Sequence, residues 1–257
     1  MAPDDLPAGL RTTTLAERPD LLAAQWALPT PWPTFMERDP VGERLFGRAL
    51  ERSPELQVLL LDADGAVLGR LVATPFAWSG ADEDLPARGW DAVQERSEDD
   101  ARAGTALTAV SLLEARLHPD HRGRGLSAHL LRAGRDVVRR CGFRDLVAPV
   151  RPTGTADPLL PLADHVARRR PDGLPEDPWL RVHVRAGARV VGVCPASMTV
   201  PGTLAQWRSW TGLPLDASGD VAVPGALAPL HVSVEHDHAV YVEPNVWVHH
   251  RLAAEEP

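Results

Sequence analysis

Apolar and polar positions alternate in several short segments of the chain and repeat every three to four residues in others. Alternation is typical of strands that bury one face, and the longer repeat is typical of helices packed on a core. The alternating segments predict strands at 9–15, 56–61, 67–76, 105–117, 143–150, 188–193 and, once or twice, within 231–248. The periodic segments predict helices at 19–28, 41–52, 89–102, 126–140 and 178–185, with another starting at 201–203. This succession of strands and helices predicts an α/β fold.

One stretch, residues 112–127, carries the clearest chemical signal. An apolar strand ends at His118-Pro119, a loop of arginines and glycines follows, and an amphipathic helix begins at once. The free N–H groups and the dipole at such a helix start favour a negatively charged ligand. Because Gly123 and Gly125 have no Cβ, phosphate oxygens can approach the main chain closely. We therefore predict a site for a phosphate-bearing ligand.

The spacing of residues within this loop decides which of the known phosphate-binding motifs it matches. A lysine-bearing phosphate loop is excluded because the chain contains no lysine, and a dinucleotide fingerprint needs a third glycine. Arg122, Gly125 and Ser127 match the pattern Arg-x-x-Gly-x-Gly/Ala, apart from the serine, and Leu117 and Pro119 precede them. The pattern resembles the coenzyme A-binding segment of the GNAT superfamily of acyl-CoA-dependent N-acyltransferases. An ordinary strand-to-helix turn with solvated arginines is the alternative.

The resemblance covers roughly residues 9–193 and is strongest at 112–145. It implies a mixed α/β sheet, splayed near its middle strands and flanked by helices, within a single domain, 1–257. Residues 194–257 would be a C-terminal extension of that domain. Acetyl-CoA or another acyl-CoA would be the co-substrate, with its pyrophosphate on the loop amides and its carbonyl polarised by a strand amide. The residues expected to bind it are Leu117, Arg122, Gly123, Arg124, Gly125, Leu126 and Ser127.

Glu114 is the expected base that takes a proton from the acceptor amine. Strict alternation would place it on one face with Leu112, Arg116 and His118. A carboxylate is costly to bury unpaired, so Glu114 either faces a cleft and acts through a water or forms a salt bridge with Arg116 or a hairpin neighbour. His118 is a second candidate base.

His183 is the expected proton donor to the departing thiolate. Members of the resembled superfamily often carry a tyrosine four residues before the glycine of a Tyr-x-x-x-Gly-Phe pattern, and Gly187 places His183 at that position. The single tyrosine of the chain, Tyr241, lies far away in the C-terminal segment. Histidine can donate a proton near neutral pH, but it can also simply pack.

The amino-acid composition limits the classes of partner that the protein can bind. The net charge of −8 argues against nucleic acid. No apolar run approaches the ~20 residues of a membrane span, and the N-terminus lacks the form of a signal peptide, so we expect a cytoplasmic protein with no membrane association. Two cysteines make no disulfide framework. His236 and His238 could share a strand face, but no third ligand has a fixed spacing, so no metal site is expected.

The predicted activity is transfer of an acyl group, most simply acetyl, from CoA to a small-molecule amine. We expect direct transfer in a ternary complex because the chain offers no convincing nucleophile. A non-catalytic acyl-CoA-binding or sensing module is one alternative, and a biosynthetic enzyme with another acyl donor or reaction is the other. A homodimer is left open.

The acceptor is not readable from the sequence. It would be chosen by the loop 29–40, the excursion 152–177 and the C-terminal strands, where Asn245 is a modest candidate for acceptor recognition. The aromatic side chains of the loop 29–40 either plug the core or form a wall of the acceptor pocket.

Overall fold

The computed structural model describes residues 6–153 and 157–253, in which nine strands form one sheet. The strands are β1 (Arg11–Thr14), β2 (Val58–Leu61), β3 (Val67–Phe76), β4 (Ala109–Leu117), β5 (Asp145–Val150), β6 (Arg189–Gly202), β7 (Gly219–Val221), β8 (Leu230–Ser233) and β9 (His238–Arg251). They lie in the order β1-β2-β3-β4-β5-β9-β8-β7, and β6 pairs with β9. The strand predicted at 105–117 begins later, at Ala109.

Seven α-helices occur in the described part of the chain. They are α1 (Leu22–Trp26), α2 (Pro40–Arg52), α3 (Gly89–Ala103), α4 (Leu126–Arg140), α5 (Leu162–Ala167), α6 (Pro178–Arg185) and α7 (Leu204–Thr211). The bounds of α4 and α6 are those predicted from the periodicity. Asp39 caps α2, its carboxylate accepting the Gly42 N–H at 2.6 Å, which explains why that helix begins at Pro40. None of the described helices is both long and apolar enough to span a membrane.

Apolar side chains cover both faces of the sheet. One face packs beneath α4 and α6, with Leu112 and Leu126 among its buried residues. The other face packs beneath α2 and α3, with Leu113 and Phe76 among its buried residues. The sheet is therefore the middle layer between two layers of helices, as the resemblance implied.

A third apolar cluster lies beneath α7, around β8 and the first half of β9. Phe35 and Met36 of the loop 29–40 are buried in it beside Trp207 and Tyr241. The ring centres of Phe35 and Tyr241 lie 5.2 Å apart in an edge-to-face contact. This part of the loop is a hydrophobic plug, which was one of its two predicted roles.

β4 and β5 form the one parallel pair among the described strands, and they separate soon after they meet. They pair at only two positions, Val110 with Leu146 and Ser111 with Val147, although β4 runs on to Leu117. Beyond its pairing with β4, β5 is paired along its length with β9. A gap therefore opens between the C-terminal halves of β4 and β5. The predicted mixed, centrally splayed sheet flanked by helices is confirmed.

A β-bulge in β4 changes which residues share a face. Val72 lies opposite Glu114 and Ala73 opposite Leu112, so Leu113 is an extra residue without a partner in β3. Leu112 packs beneath α4, whereas Glu114 contacts side chains on the α1 and α2 side of the sheet. The predicted common face of Glu114 and Leu112 is wrong, because an inserted residue reverses the alternation.

The residues after 193 complete the sheet. The predicted start of the C-terminal extension at 194 falls inside β6, and β9 pairs with both β5 and β6. Val150 at the end of β5 lies opposite Val246 of β9. The preceding residues of β9, including Glu243 and Asn245, therefore extend beyond the end of β5, beside the gap.

Candidate active site

The loop between β4 and α4 is open around its two glycines. Gly123 and Gly125 have φ angles of +73° and +75°, and a Cβ on either would meet no atom of the protein within 4 Å. Gly125 is the N-cap of α4, and no side chain in the described chain caps this helix. The first amides of α4 are thus left for an anionic ligand. Residues 122–127, predicted to bind CoA, lie together in this loop and in the first two residues of α4.

Arginine and histidine side chains surround the loop. Arg122 and Arg124 are exposed, and Arg124 Nη1 lies 3.1 Å from His121 Nδ1. The two guanidinium groups add positive charge where a phosphate would sit. His118 Nδ1 accepts the Asp120 N–H at 3.4 Å, so this side chain forms part of the turn that follows β4.

Leu117 is the last residue of β4 and leads directly into the loop. It lies opposite Gly69 of β3, where a Cβ would come within 2.6 Å of the Leu117 side chain and 2.8 Å of the Arg116 carbonyl oxygen. Glycine at position 69 therefore permits a close approach of the two strands. The position of Leu117 at the open end of the gap suits a strand amide that polarises a thioester carbonyl, and that role stays a prediction.

Glu114 lies between two arginines at the edge of the gap. Its Oε1 accepts from Arg70 Nε at 2.5 Å, and its Oε2 accepts from Arg116 Nη2 at 2.7 Å. Trp32 Nε1 donates to the same Oε2 at 3.3 Å, and the carboxylate side chain is 7% exposed. The salt bridge that was the alternative to a catalytic role is therefore present, and the role of Glu114 as a base stays a proposal.

Trp32 connects Glu114 on β4 with Arg151 at the end of β5. The Arg151 Cζ lies 5.7 Å from the centre of the Trp32 ring, while the indole N–H points to Glu114. The loop 29–40 thus forms a wall across the gap in addition to plugging the core. Sequence reasoning missed Arg151, since an arginine after a strand has no recognisable partner until the strands are assembled.

A buried carboxylate, Glu243 of β9, holds Arg151. Glu243 is 0% exposed, and its Oε1 lies 2.6 Å from Arg151 Nε. The Tyr241 hydroxyl donates to its other oxygen, and Asn245 Nδ2 donates to Oε1 at 3.2 Å. Burial raises the pKa of Glu243, and the Arg151 charge opposes that rise. Asn245, singled out for acceptor recognition, supports this carboxylate.

His183 lies on α6, and the contacts of its ring are with α6 and β9. Its Nδ1 lies 2.9 Å from His250 Nε2, its ring centre lies 4.5 Å from that of Trp179, and it is 1% exposed. The pKa of His183 lies well below its usual value, mainly because the ring is buried and to a lesser extent because of the charges of His250 and Arg135. At neutral pH this side chain is uncharged and packed. Its role as a proton donor stays a prediction.

Acid destabilises the fold through this histidine pair. Burial, followed by the charge of Arg135, lowers the pKa of His250 to about 3. A histidine whose pKa is lowered by folding takes up its proton first in the unfolded chain, so stability is full above about pH 6.5 and falls as the pH drops toward 3. We expect each such histidine to cost ~1.4 kcal/mol per pH unit below about pH 6.5. His250→Gln reduces this slope, as measured by urea unfolding at several pH values.

The matched control for this experiment is His238→Gln, which replaces an exposed histidine of the same strand. This variant keeps the wild-type pH dependence of the free energy of unfolding. Equal slopes in the wild type and in His250→Gln would contradict the assignment of the slope to the buried pair.

The C-terminal histidines are engaged with neighbouring side chains. His236 Nδ1 lies 2.7 Å from Ser233 Oγ, and His231 Nδ1 lies 2.5 Å from Asp220 Oδ1. Within residues 6–153 and 157–253, no group of three or more His, Cys, Asp or Glu side chains is arranged to hold a metal ion.

Comparison with solved structures places this arrangement in a known fold. The loading GNATL domain of CurA from Lyngbya majuscula superposes with a TM-score of 0.55 at 17% identity, covering 94% of this chain and 96% of that one. The GphF GNAT-like decarboxylase in complex with isobutyryl-CoA superposes with a TM-score of 0.52 at 20% identity, covering 95% and 99%. At this identity the likeness shows a shared GNAT fold, which does not decide the reaction.

Comparison of sequences identifies a full-length relative. The chain is 31% identical to the arginine N-acetyltransferase avaD of Aspergillus versicolor, and the match covers 96% of each protein. No profile of a known protein family matches the sequence. The chain belongs to the GNAT superfamily and is an N-acyltransferase. The superfamily and the enzyme class predicted from the 112–127 segment are confirmed.

Proposed function

We propose that the protein transfers an acetyl group from acetyl-CoA to the α-amine of L-arginine, by direct attack within a ternary complex. An acyl-CoA is its co-substrate and a small-molecule amine its acceptor. The observation that carries arginine as the acceptor is the full-length similarity to an arginine N-acetyltransferase. The paired acidic and basic side chains beside the gap suit an acceptor that carries both signs of charge.

The acyl donor, acetyl-CoA, lies along the gap between β4 and β5. The uncapped start of α4 and the exposed Arg122 and Arg124 offer amides and positive charge to the CoA pyrophosphate. The pantetheine arm then runs between the diverging strands, where β4 has no parallel partner beyond Ser111. The thioester reaches the level of Leu117 and Glu114.

The α-amine, and not the guanidinium, is the nucleophile of arginine. A guanidinium stays protonated at any physiological pH and has no free lone pair, whereas an α-amine loses its proton far more easily. Glu114 takes that proton through a water molecule, since its oxygens already accept from Arg70, Arg116 and Trp32. The amine attacks the thioester carbonyl, the C–S bond breaks, and the thiolate leaves and gains a proton.

His183 is the proposed donor of the proton that the thiolate gains. Its place four residues before Gly187 supports the proposal. A thiolate is a reasonable leaving group, so the reaction does not depend on this step alone.

Identification of the product tests the proposed function. The enzyme is incubated with acetyl-CoA and L-arginine, and the product is analysed by mass spectrometry and NMR. We expect thiol release that depends on arginine and a single product acetylated on the α-nitrogen. Release of thiol with D-glucosamine or spermidine but not with arginine would contradict arginine as the acceptor.

Location and assembly are part of the proposal. A cytoplasmic enzyme has both acetyl-CoA and free arginine at hand. A homodimer is the proposed assembly, and light scattering of the purified protein measures it.

A further inference from the structure

Arg151 is a charged residue next to the gap for which the acylation chemistry has no use. It follows β5 directly, at the point where β5 has separated from β4, and its side chain is 17% exposed. We propose that Arg151 binds the α-carboxylate of the acceptor and thereby selects amino acids over simple amines. This inference rests on the proposed function.

The anchoring of Arg151 leaves one edge of its guanidinium available. Nε lies 2.6 Å from Glu243 Oε1, and Nη2 donates to the Gly225 carbonyl oxygen at 2.5 Å. Within the described chain Nη1 makes no hydrogen bond. A carboxylate is the ligand best suited to a guanidinium held in this way, because charge-assisted N–H···O⁻ bonds are strong and directional.

Glu243 fixes the direction of this free edge. The carboxylate is fully buried, and the Tyr241 hydroxyl and the Asn245 amide both donate to it. The Tyr241 oxygen in turn accepts the Leu227 N–H at 2.9 Å. These bonds fix the Glu243 carboxylate, and its ion pair with Arg151 holds the guanidinium at the end of β5.

Trp32 contacts both of the charged side chains that the proposal assigns to the acceptor. Its ring faces Arg151 and its indole N–H reaches Glu114, so the two charged side chains flank one aromatic wall. No ion pair joins Arg151 and Glu114 in the described chain. We therefore infer that an α-amino acid whose carboxylate meets Arg151 presents its amine toward Glu114.

The charges around Glu114 also favour an acceptor with an anionic group. Two buried guanidiniums, Arg70 and Arg116, face one carboxylate, and Glu37 is an exposed carboxylate farther out that acts on Arg116. An α-carboxylate bound near Arg151 adds negative charge to this positively charged side of the gap.

Comparison of L-arginine with L-argininamide tests the proposal, because the amide keeps the α-amine and the guanidinium but lacks the carboxylate. For the wild type we expect kcat/KM to be ~10- to 100-fold higher for arginine, mainly through KM, as is typical of a charge-assisted bond. In Arg151→Gln the ratio falls to about 1, because kcat/KM falls much more for arginine than for argininamide. Arg151→Lys, which keeps the charge, restores part of the preference.

The matched control is Arg208→Gln. Arg208 also donates to main-chain carbonyl groups, those of Pro214 and Leu215, but lies on α7. We expect Arg208→Gln to leave the ratio of kcat/KM for arginine to kcat/KM for argininamide unchanged. A wild-type ratio near 1, or an equal loss for both substrates in Arg151→Gln, would contradict the carboxylate site but not arginine as the acceptor. Turnover of neither compound by the wild type would instead contradict arginine as the acceptor, and the proposal with it.

Discussion

Glu114→Gln lowers kcat for the acetylation of L-arginine by ~100-fold or more, the range typical of the loss of a general base. The substitution also leaves Arg70 and Arg116 buried without a counter-charge, so we expect the free energy of unfolding to fall by about 3 kcal/mol. Thiol release is measured at a temperature where the variant is folded, so that the loss of kcat is separate from the loss of stability.

The kcat of the folded variant separates a base from a structural ion pair. If Glu114 only holds the two arginines, the variant melts earlier but, at a temperature where it is folded, its kcat equals that of the wild type. That outcome would contradict the catalytic role. Glu51→Gln, at an exposed position near the end of α2, is the control and leaves both kcat and the melting temperature unchanged.

Gly125→Ala raises the KM for acetyl-CoA by ~10- to 100-fold, since the added methyl group stands where phosphate oxygens approach the amides of α4. No atom of the protein lies within 4 Å of that Cβ, so the conflict arises mainly with the ligand. The positive φ adds a stability cost of ~1–2 kcal/mol. Isothermal titration with CoA measures the same loss without turnover.

Gly142→Ala provides the matched control at the other end of α4. Gly142 also has a positive φ, +90°, and open space around its Cβ, but it lies away from the loop. Both variants therefore lose a similar amount of stability, and Gly125→Ala alone loses affinity for CoA. Equal affinities in the two variants would show that the loop does not hold the pyrophosphate.

The geometry of the loop before α4 was predictable because its signal is local. A strand end, two glycines and a helix start lie within residues 112–127, and the uncapped amides at the start of α4 follow from them. The apolar stripe of α4 was equally local, and its bounds were predicted correctly. Periodicity of this kind needs no knowledge of distant partners.

The acceptor half depends on contacts between distant parts of the chain. Trp32 meets Glu114 across 82 positions, and Arg151 meets Glu243 only because β9 lies beside β5. The bulge at Leu113 also changed the neighbours of Glu114, and the adjacent apolar pair Leu112-Leu113 does not by itself distinguish a bulge from a strand buried on both faces. No spacing rule in a single sequence encodes such pairings.

The initial rate of thiol release, measured over a matrix of acetyl-CoA and L-arginine concentrations, tests the central claim most directly. Direct transfer in a ternary complex predicts saturation in both substrates and intersecting lines in double-reciprocal plots. Parallel lines would contradict it, because they indicate an acylated enzyme formed before arginine binds. Absence of any arginine-dependent release would contradict the proposed acceptor.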